Sequence, residues 1–182
     1  MASELLTLRD GSQVSIRPVR AEDQPALRAF LSDLCLDARR MRFFSAATDL
    51  AFAAQLGAVE DAAHHGLVAH DETGVLVGHA TYVLLDPHRA EVAVEVADHL
   101  HGRGLGTILI ARLARHAEQR HIECFQAELL SENRAMGEVF RDGFDARLLR
   151  RDGAQQTIEF PTSSWRLAQA RFPAYRSAAA PR

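Results

Sequence analysis

Glu91, Glu95 and a run of glycines a few residues downstream carry most of the chemistry legible in this chain. From Ala90 to Val96 the valines alternate with Glu91, Ala93 and Glu95. That period of two marks a strand with two unlike faces and puts both carboxylates on one of them, where a general base can be built. Beyond Asp98 comes His101-Gly-Arg-Gly-Leu-Gly106, whose glycines allow close backbone approach, and Leu105, Ile108, Leu109 and Leu113 then recur at helical spacing. A strand, a glycine loop and a helix start make an anion site. The first amides of a helix lack internal partners and sit at the positive end of its dipole. A nucleotide P-loop is excluded, because its lysine is absent and a G-x-G-x-x-G pattern would need glycine where Thr107 stands. His64-His65 and His99-x-His101 lack an Asp, Glu or Cys at ligand spacing, so they read as surface or loop histidines and no metal is expected.

The remainder of the chain must position these groups. With 182 residues, 47% of them hydrophobic, it is long enough for one substantial core. We expect the folded domain over 1–162 and a partly disordered C-terminal extension over 163–182, with an apolar helical patch at Trp165 and Leu167. A formal net charge of −3 and an isoelectric point near 6.3 give no global reason to bind nucleic acid or an anionic membrane. Cys35 and Cys124 form no C-x-x-C pair, the N-terminus is not a secretory signal, and no apolar run is long enough for a membrane span. A reduced, cytoplasmic setting is the expectation.

Leu6 to Val19 reads as a hairpin or an extended lead-in strand with an Asp10-Gly11 turn. Glu22 to Leu34 is an amphipathic helix with Leu27, Phe30, Leu31 and Leu34 on one stripe and Asp23 as its cap. Short helices follow over Asp37 to Phe44 and from Thr48-Asp49 to Leu56. Arg39, Arg40 and Arg42 read as an exposed charged face, with a contact to an acceptor or a phosphate as the sharper alternative. Strands are expected over Leu67 to His70, Val75 to Leu85, Ala90 to Val96 and Glu123 to Leu130. The glycine helix runs to about Arg120. A helix from Asn133 to about Arg141 is stopped by Gly143, and a terminal hairpin turns at Asp152-Gly153. The fold class is thus α/β in the α+β sense, a mixed sheet with helices on its faces.

At its centre the sequence resembles the GNAT superfamily of acyl-CoA-dependent N-acyltransferases, whose signature is Gln/Arg-x-x-Gly-x-Gly/Ala between a strand and a helix. Here it reads His101-Gly-Arg-Gly104-Leu-Gly106, and the later feature of an Asn opening a helix that ends in Gly-Phe is matched by Asn133 and Gly143-Phe144. Leu8-Arg-Asp-Gly11, Ile16-Arg-Pro18, Arg42-Phe-Phe-Ser45 and Ala90-Glu-Val-Ala93 are similar, more narrowly, to the GNAT domain of bacterial protein lysine acetyltransferases that modify acyl-CoA synthetases. The resemblance spans about Leu6 to Phe160. It implies a central, mostly antiparallel twisted sheet of six to seven strands flanked by helices. There are two departures from the pattern: His101 stands where Gln or Arg is usual, adding a pH-dependent cation near the phosphates if its side chain is used. Val139 stands where many relatives carry a tyrosine general acid.

The resemblance also implies a division of labour. The cosubstrate is acetyl-CoA: the backbone of Val94, Glu95 and Val96 receives its pantetheine arm like an added strand, and the amides of Gly102, Arg103, Gly104, Leu105, Gly106 and Thr107 hold its pyrophosphate, with Asn133 a further contact. A lysine ammonium has a pKa of about 10.4, so at neutral pH roughly one in several thousand is neutral and a base is required. Glu91, flanked by valines that raise its pKa, is assigned that role, with Glu95 as runner-up. The favoured acceptor is a protein lysine, such as one on an acyl-CoA synthetase. The alternatives are a small-molecule amine and a non-catalytic acyl-CoA-binding regulatory domain, and a homodimer is compatible with any of the three.

Overall fold

A computed structural model describes residues 3–45 and 47–171. The alternating patterns become strands in the expected places. β1 (Glu4–Thr7) and β2 (Gln13–Pro18) form a hairpin across the Asp10-Gly11 turn, and β3 (His64–Asp71), β4 (Leu76–Asp86) and β5 (Arg89–Val96) form a meander. They are followed by β6 (Cys124–Leu130) and the hairpin β7 (Arg147–Asp152) and β8 (Gln155–Pro161). The sheet order is β1-β2-β3-β4-β5-β6-β8-β7, antiparallel throughout except for the β5/β6 pair. Eight strands replace the six to seven expected, because Leu6 to Val19 resolves into a true hairpin rather than one lead-in strand.

Helices cover the sheet on both faces, each because its apolar stripe matches one set of alternating strand residues. α1 (Gln24–Asp33) turns Leu27, Phe30 and Leu31 onto Val19, Val68 and Leu76, and α3 (Leu50–Gly57) contributes Ala54 to the same cluster. α2 (Leu36–Phe43) buries no residue fully and lies beside them. On the opposite face α4 (Leu105–Gln119) inserts Leu105, Ile108, Leu109 and Leu113 among Leu67, Ala80, Tyr82 and Val92. α5 (Arg134–Phe144) and α6 (Trp165–Arg171) complete that layer, with Phe140 and Phe144 packed on Phe160. The extension expected from residue 163 therefore begins as a helix whose Trp165 Nε1 donates to Glu118 on α4 at 2.8 Å; residues 172–182 lie outside those described.

Three local expectations change. Gly143 lies inside α5, which runs on to Phe144 and ends with Asp145 in the left-handed region, because Phe144 is fully buried and holds the last turn against the core. Asp23 stands at the N-cap position of α1, but its carboxylate accepts from Arg17 at 2.6 and 2.7 Å and from the Arg20 amide rather than from the helix. His65 is not a surface histidine: it is a buried residue of β3, bonded to Glu60 at 2.6 Å and stacked on His116 at 3.6 Å.

Candidate active site

The central feature is a gap in the sheet. β6 pairs with β5 only at Arg89, Ala90 and Glu91, and beyond that point the two strands part. In the antiparallel ladder with β4 the Ala97 amide donates to Val77, so the backbone groups of alternate residues, Val92, Val94 and Val96, point away from β4 toward the gap. The gap opens into a cleft of about 910 Å³ lined by β5, the glycine loop, the start of α4, α2, β6 and α5. An extended ligand can lie along β5 there and complete its ladder.

The glycine loop forms one end of this cleft. Gly102 and Gly104 take φ of +75° and +93°, a region that disfavours any side chain, and Gly104 is the N-cap of α4. The first bond closing the helix runs from the Ile108 amide to the Gly104 carbonyl, so Leu105, Gly106 and Thr107 precede it with their amides unpaired within the helix. A Cβ on Gly106 would stand 3.7 Å from the Val96 side chain, in ordinary van der Waals contact with β5. Of the other loop residues, Arg103 turns its guanidinium away to Asp10, and only its backbone belongs to the loop. Leu105 and Thr107 are buried. His101 lines the cleft, and its Nε2 lies 2.9 Å from the Val96 carbonyl, placing the ring against one of the backbone groups that face the gap.

Glu91 and Glu95 both line the cleft and differ in every other respect. Glu91 is open to the cleft. Its pKa is raised, first by desolvation among the cleft walls and then by the Glu128 carboxylate, with Arg42 acting in the opposite direction. Such a shift is what a proton acceptor working near neutrality needs. Glu95 is 7% exposed, and it receives the Arg42 Nε at 2.8 Å and lies 2.7 Å from the His79 Nδ1. Burial alone would raise its pKa, but Arg42 and His79 outweigh that effect and hold it at about 2. It cannot serve as the runner-up base near neutral pH. The expectation of an exposed face for Arg42 fails for the same reason, since its side chain is 27% exposed and folded onto Glu95.

At the far wall Asn133 caps α5, its Oδ1 accepting from the Met136 amide at 3.2 Å, and it also lines the cleft. Val139 lines it as well, half-buried against the core. No tyrosine is among the described lining residues. Tyr82 is buried elsewhere, its hydroxyl 3.0 Å from His116 and its pKa pushed up to about 12 by burial. Arg9 is a lining residue the sequence did not single out; its stem packs over Gly104 from the β1–β2 turn, and that contact between distant segments left no local signal. Among the described residues no group of three or more His, Cys, Asp or Glu is arranged to hold a metal, and no helix is long and apolar enough to cross a membrane.

A strand parted from its neighbour beside a glycine-led helix makes a cleft for an extended ligand with an anionic end, and comparison with known proteins identifies the family. The model of the acetyltransferase (GNAT) family matches residues 29–144. The chain belongs to the GNAT family of acetyltransferases, enzymes that transfer an acetyl group from acetyl-CoA to an amine. Among solved structures it is similar to the GNAT domain of S. lividans PAT, with 27% identity and a TM-score of 0.78 over 87% of this chain and 96% of that one. A spermidine N-acetyltransferase from Vibrio cholerae, in complex with CoA and spermine, shares the fold at 13% identity, covering 84% of this chain and 97% of that one with a TM-score of 0.67. A cAMP-binding acyltransferase from Mycobacterium smegmatis aligns at 22% identity and a TM-score of 0.61; the match takes in 96% of this chain but 55% of that protein.

Proposed function

We propose that this chain acetylates protein lysine ε-amines, with Glu91 as the general base for direct attack on the acetyl-CoA thioester. The observation that carries the assignment is the raised carboxyl of Glu91, facing the cleft beside the last paired residues of β5 and β6. In this reading the pantetheine arm lies along β5 over Val94, Glu95 and Val96, pairing with the gap-facing backbone groups of Val94 and Val96, while those of Glu95 stay in the ladder with β4. The amides of Gly102, Arg103, Gly104, Leu105, Gly106 and Thr107 hold the pyrophosphate, and Asn133 borders the donor. Residues 1–162 carry the acyltransferase activity, in a cytoplasmic setting. The protein-lysine acceptor is supported by the Arg42-Phe-Phe-Ser45 and Ala90-Glu-Val-Ala93 motifs and by the likeness to the GNAT domain of S. lividans PAT.

A small polyamine is the second reading, favoured by the likeness to the spermine-bound spermidine acetyltransferase. Thiol-release assays with acetyl-CoA and a panel of acyl-CoA synthetases, spermidine and free amines separate the two. The first reading expects CoA release with a synthetase and a single modified lysine by mass spectrometry. Turnover confined to spermidine or another free amine overturns it.

A further inference from the structure

One buried polar chain runs from the acceptor side of the cleft into the fold. The Gly57 carbonyl at the end of α3 lies 3.0 Å from His79 Nε2; His79 Nδ1 lies 2.7 Å from one Glu95 oxygen; the other oxygen receives Arg42 Nε of α2 at 2.8 Å. Both ring nitrogens of His79 lie against oxygen atoms, one of the Gly57 carbonyl and one of the Glu95 carboxylate, so the ring is held at both ends. Its place is tight as well as dry. His79 is 2% exposed, and a Cβ on Gly57 would stand 3.0 Å from its ring. Four elements, α3, β4, β5 and α2, are thus joined through Glu95. The end of the chain is a guanidinium that lines the cleft and acts on Glu91.

We propose that Glu95 is a positioning residue for acyl transfer, holding Arg42 as a fixed and partly neutralised cation beside Glu91 at the acceptor side of the cleft. The inference rests on the assignment of Glu91 as base. A buried carboxylate fixed between a guanidinium and an imidazole gains specific geometry rather than net stability, because desolvation consumes most of the attraction. What the chain supplies is a defined charge at a defined place. With Glu95 ionised, Arg42 tempers Glu91 without displacing it. Without Glu95 the guanidinium is unneutralised and free to approach Glu91, favouring its ionised form. Without Arg42 the Glu91 carboxyl keeps only its burial and the Glu128 charge, both favouring the protonated form.

The two substitutions therefore act in opposite directions, which a loss of packing would not do. The test measures kcat/KM for the amine against pH in the wild-type protein and in Glu91→Gln, Glu95→Gln and Arg42→Gln, with acetyl-CoA saturating. The acid limb should vanish in Glu91→Gln. It should move to lower pH in Glu95→Gln and to higher pH in Arg42→Gln, each by on the order of half a pH unit. The amine KM should rise several-fold in both while the acetyl-CoA KM stays near the wild-type value. An acid limb that persists in Glu91→Gln overturns the base assignment itself. If that limb vanishes but Glu95→Gln and Arg42→Gln both keep the wild-type limb and amine KM, or both shift it the same way, the positioning role is overturned instead. Should Glu95→Gln fail to fold, Arg42→Gln leaves the His79–Glu95 pair intact and decides the question by the direction of its shift.

Discussion

Glu91 and Glu95 share one strand and one face, four residues apart, and the fold gives them opposite characters. Glu91 sits where β5 is still paired with β6, open to the cleft, with a second carboxylate nearby that favours its protonated form. Glu95 sits where the strands have parted, roofed by α2 and backed by β4, and its proton is driven off at about pH 2. The strand's own pattern does not distinguish them. What distinguishes them is which charges other elements bring across that face: Arg42 is 53 residues from Glu95 in sequence and His79 is 16 away. A carboxylate becomes a base when it is desolvated and left short of cations, and a structural anchor when it is supplied with them.

The largest effect expected of that contrast is on the chemical step. Glu91→Gln should lower kcat by about 10²- to 10³-fold with little change in the acetyl-CoA KM, read from steady-state rates with the amine saturating. A comparable loss of kcat in Glu95→Gln with an unshifted pH profile would erase the distinction. The next effect is on stability. Glu95→Leu leaves Arg42 and His79 without their anion and should destabilise the fold by about 3–5 kcal/mol in urea titrations at pH 7. Because the folded-state pKa of Glu95 lies below its ordinary value of 4.5, at about 2, its contribution is complete above about pH 4.5 and is lost as pH falls toward 2. That part of the acid slope in the melting temperature should be missing from the variant.

The sequence made the local half of this site legible and hid the other half. The glycine loop, the helix it opens, the Asn133 cap and the two-faced pattern of β5 all depend on residues within one or two turns of each other. Their placement follows from propensity and periodicity. The burial of Glu95, the stacking of His65 on His116 and the approach of Arg9 to Gly104 depend on which distant segments the topology juxtaposes. His65 shows the cost: two adjacent histidines look polar until β4 and α4 close over one of them. The end of α5 has a related cause: Gly143, a residue that usually stops a helix, is overridden by the burial of Phe144 one residue later.

Within the same stretch the glycine loop offers a separate contrast, between holding the donor and doing the chemistry. Gly104→Val forces a branched side chain into a φ of +93° and toward the Arg9 stem, at a cost of about 1–2 kcal/mol. If the loop amides hold the pyrophosphate, the acetyl-CoA KM should rise roughly tenfold while kcat at saturating donor is largely kept. Equal losses in kcat and in kcat/KM would show that the two halves of the stretch are not separable.

The smallest expected effect is the most specific to Glu91. Glu128 lines the cleft one strand away, on β6, and is exposed, so its influence on Glu91 is a like-charge repulsion through partly solvated space rather than a hydrogen bond. Glu128→Gln removes that repulsion, which lowers the pKa of Glu91 and should move the acid limb of kcat/KM to lower pH by about half a unit. The plateau rate should change little, since the base is already ionised there. At about 1 M salt the Debye length shrinks to about 3 Å, so the wild-type limb should itself drift toward that of the variant. The direct pairing of Glu95 with Arg42, made inside the fold at 2.8 Å, is screened far less, and its share of the acid slope in the melting temperature should survive the same salt. A wild-type limb that ignores salt would mean that burial alone raises Glu91, and that the second carboxylate has no part in making it a base.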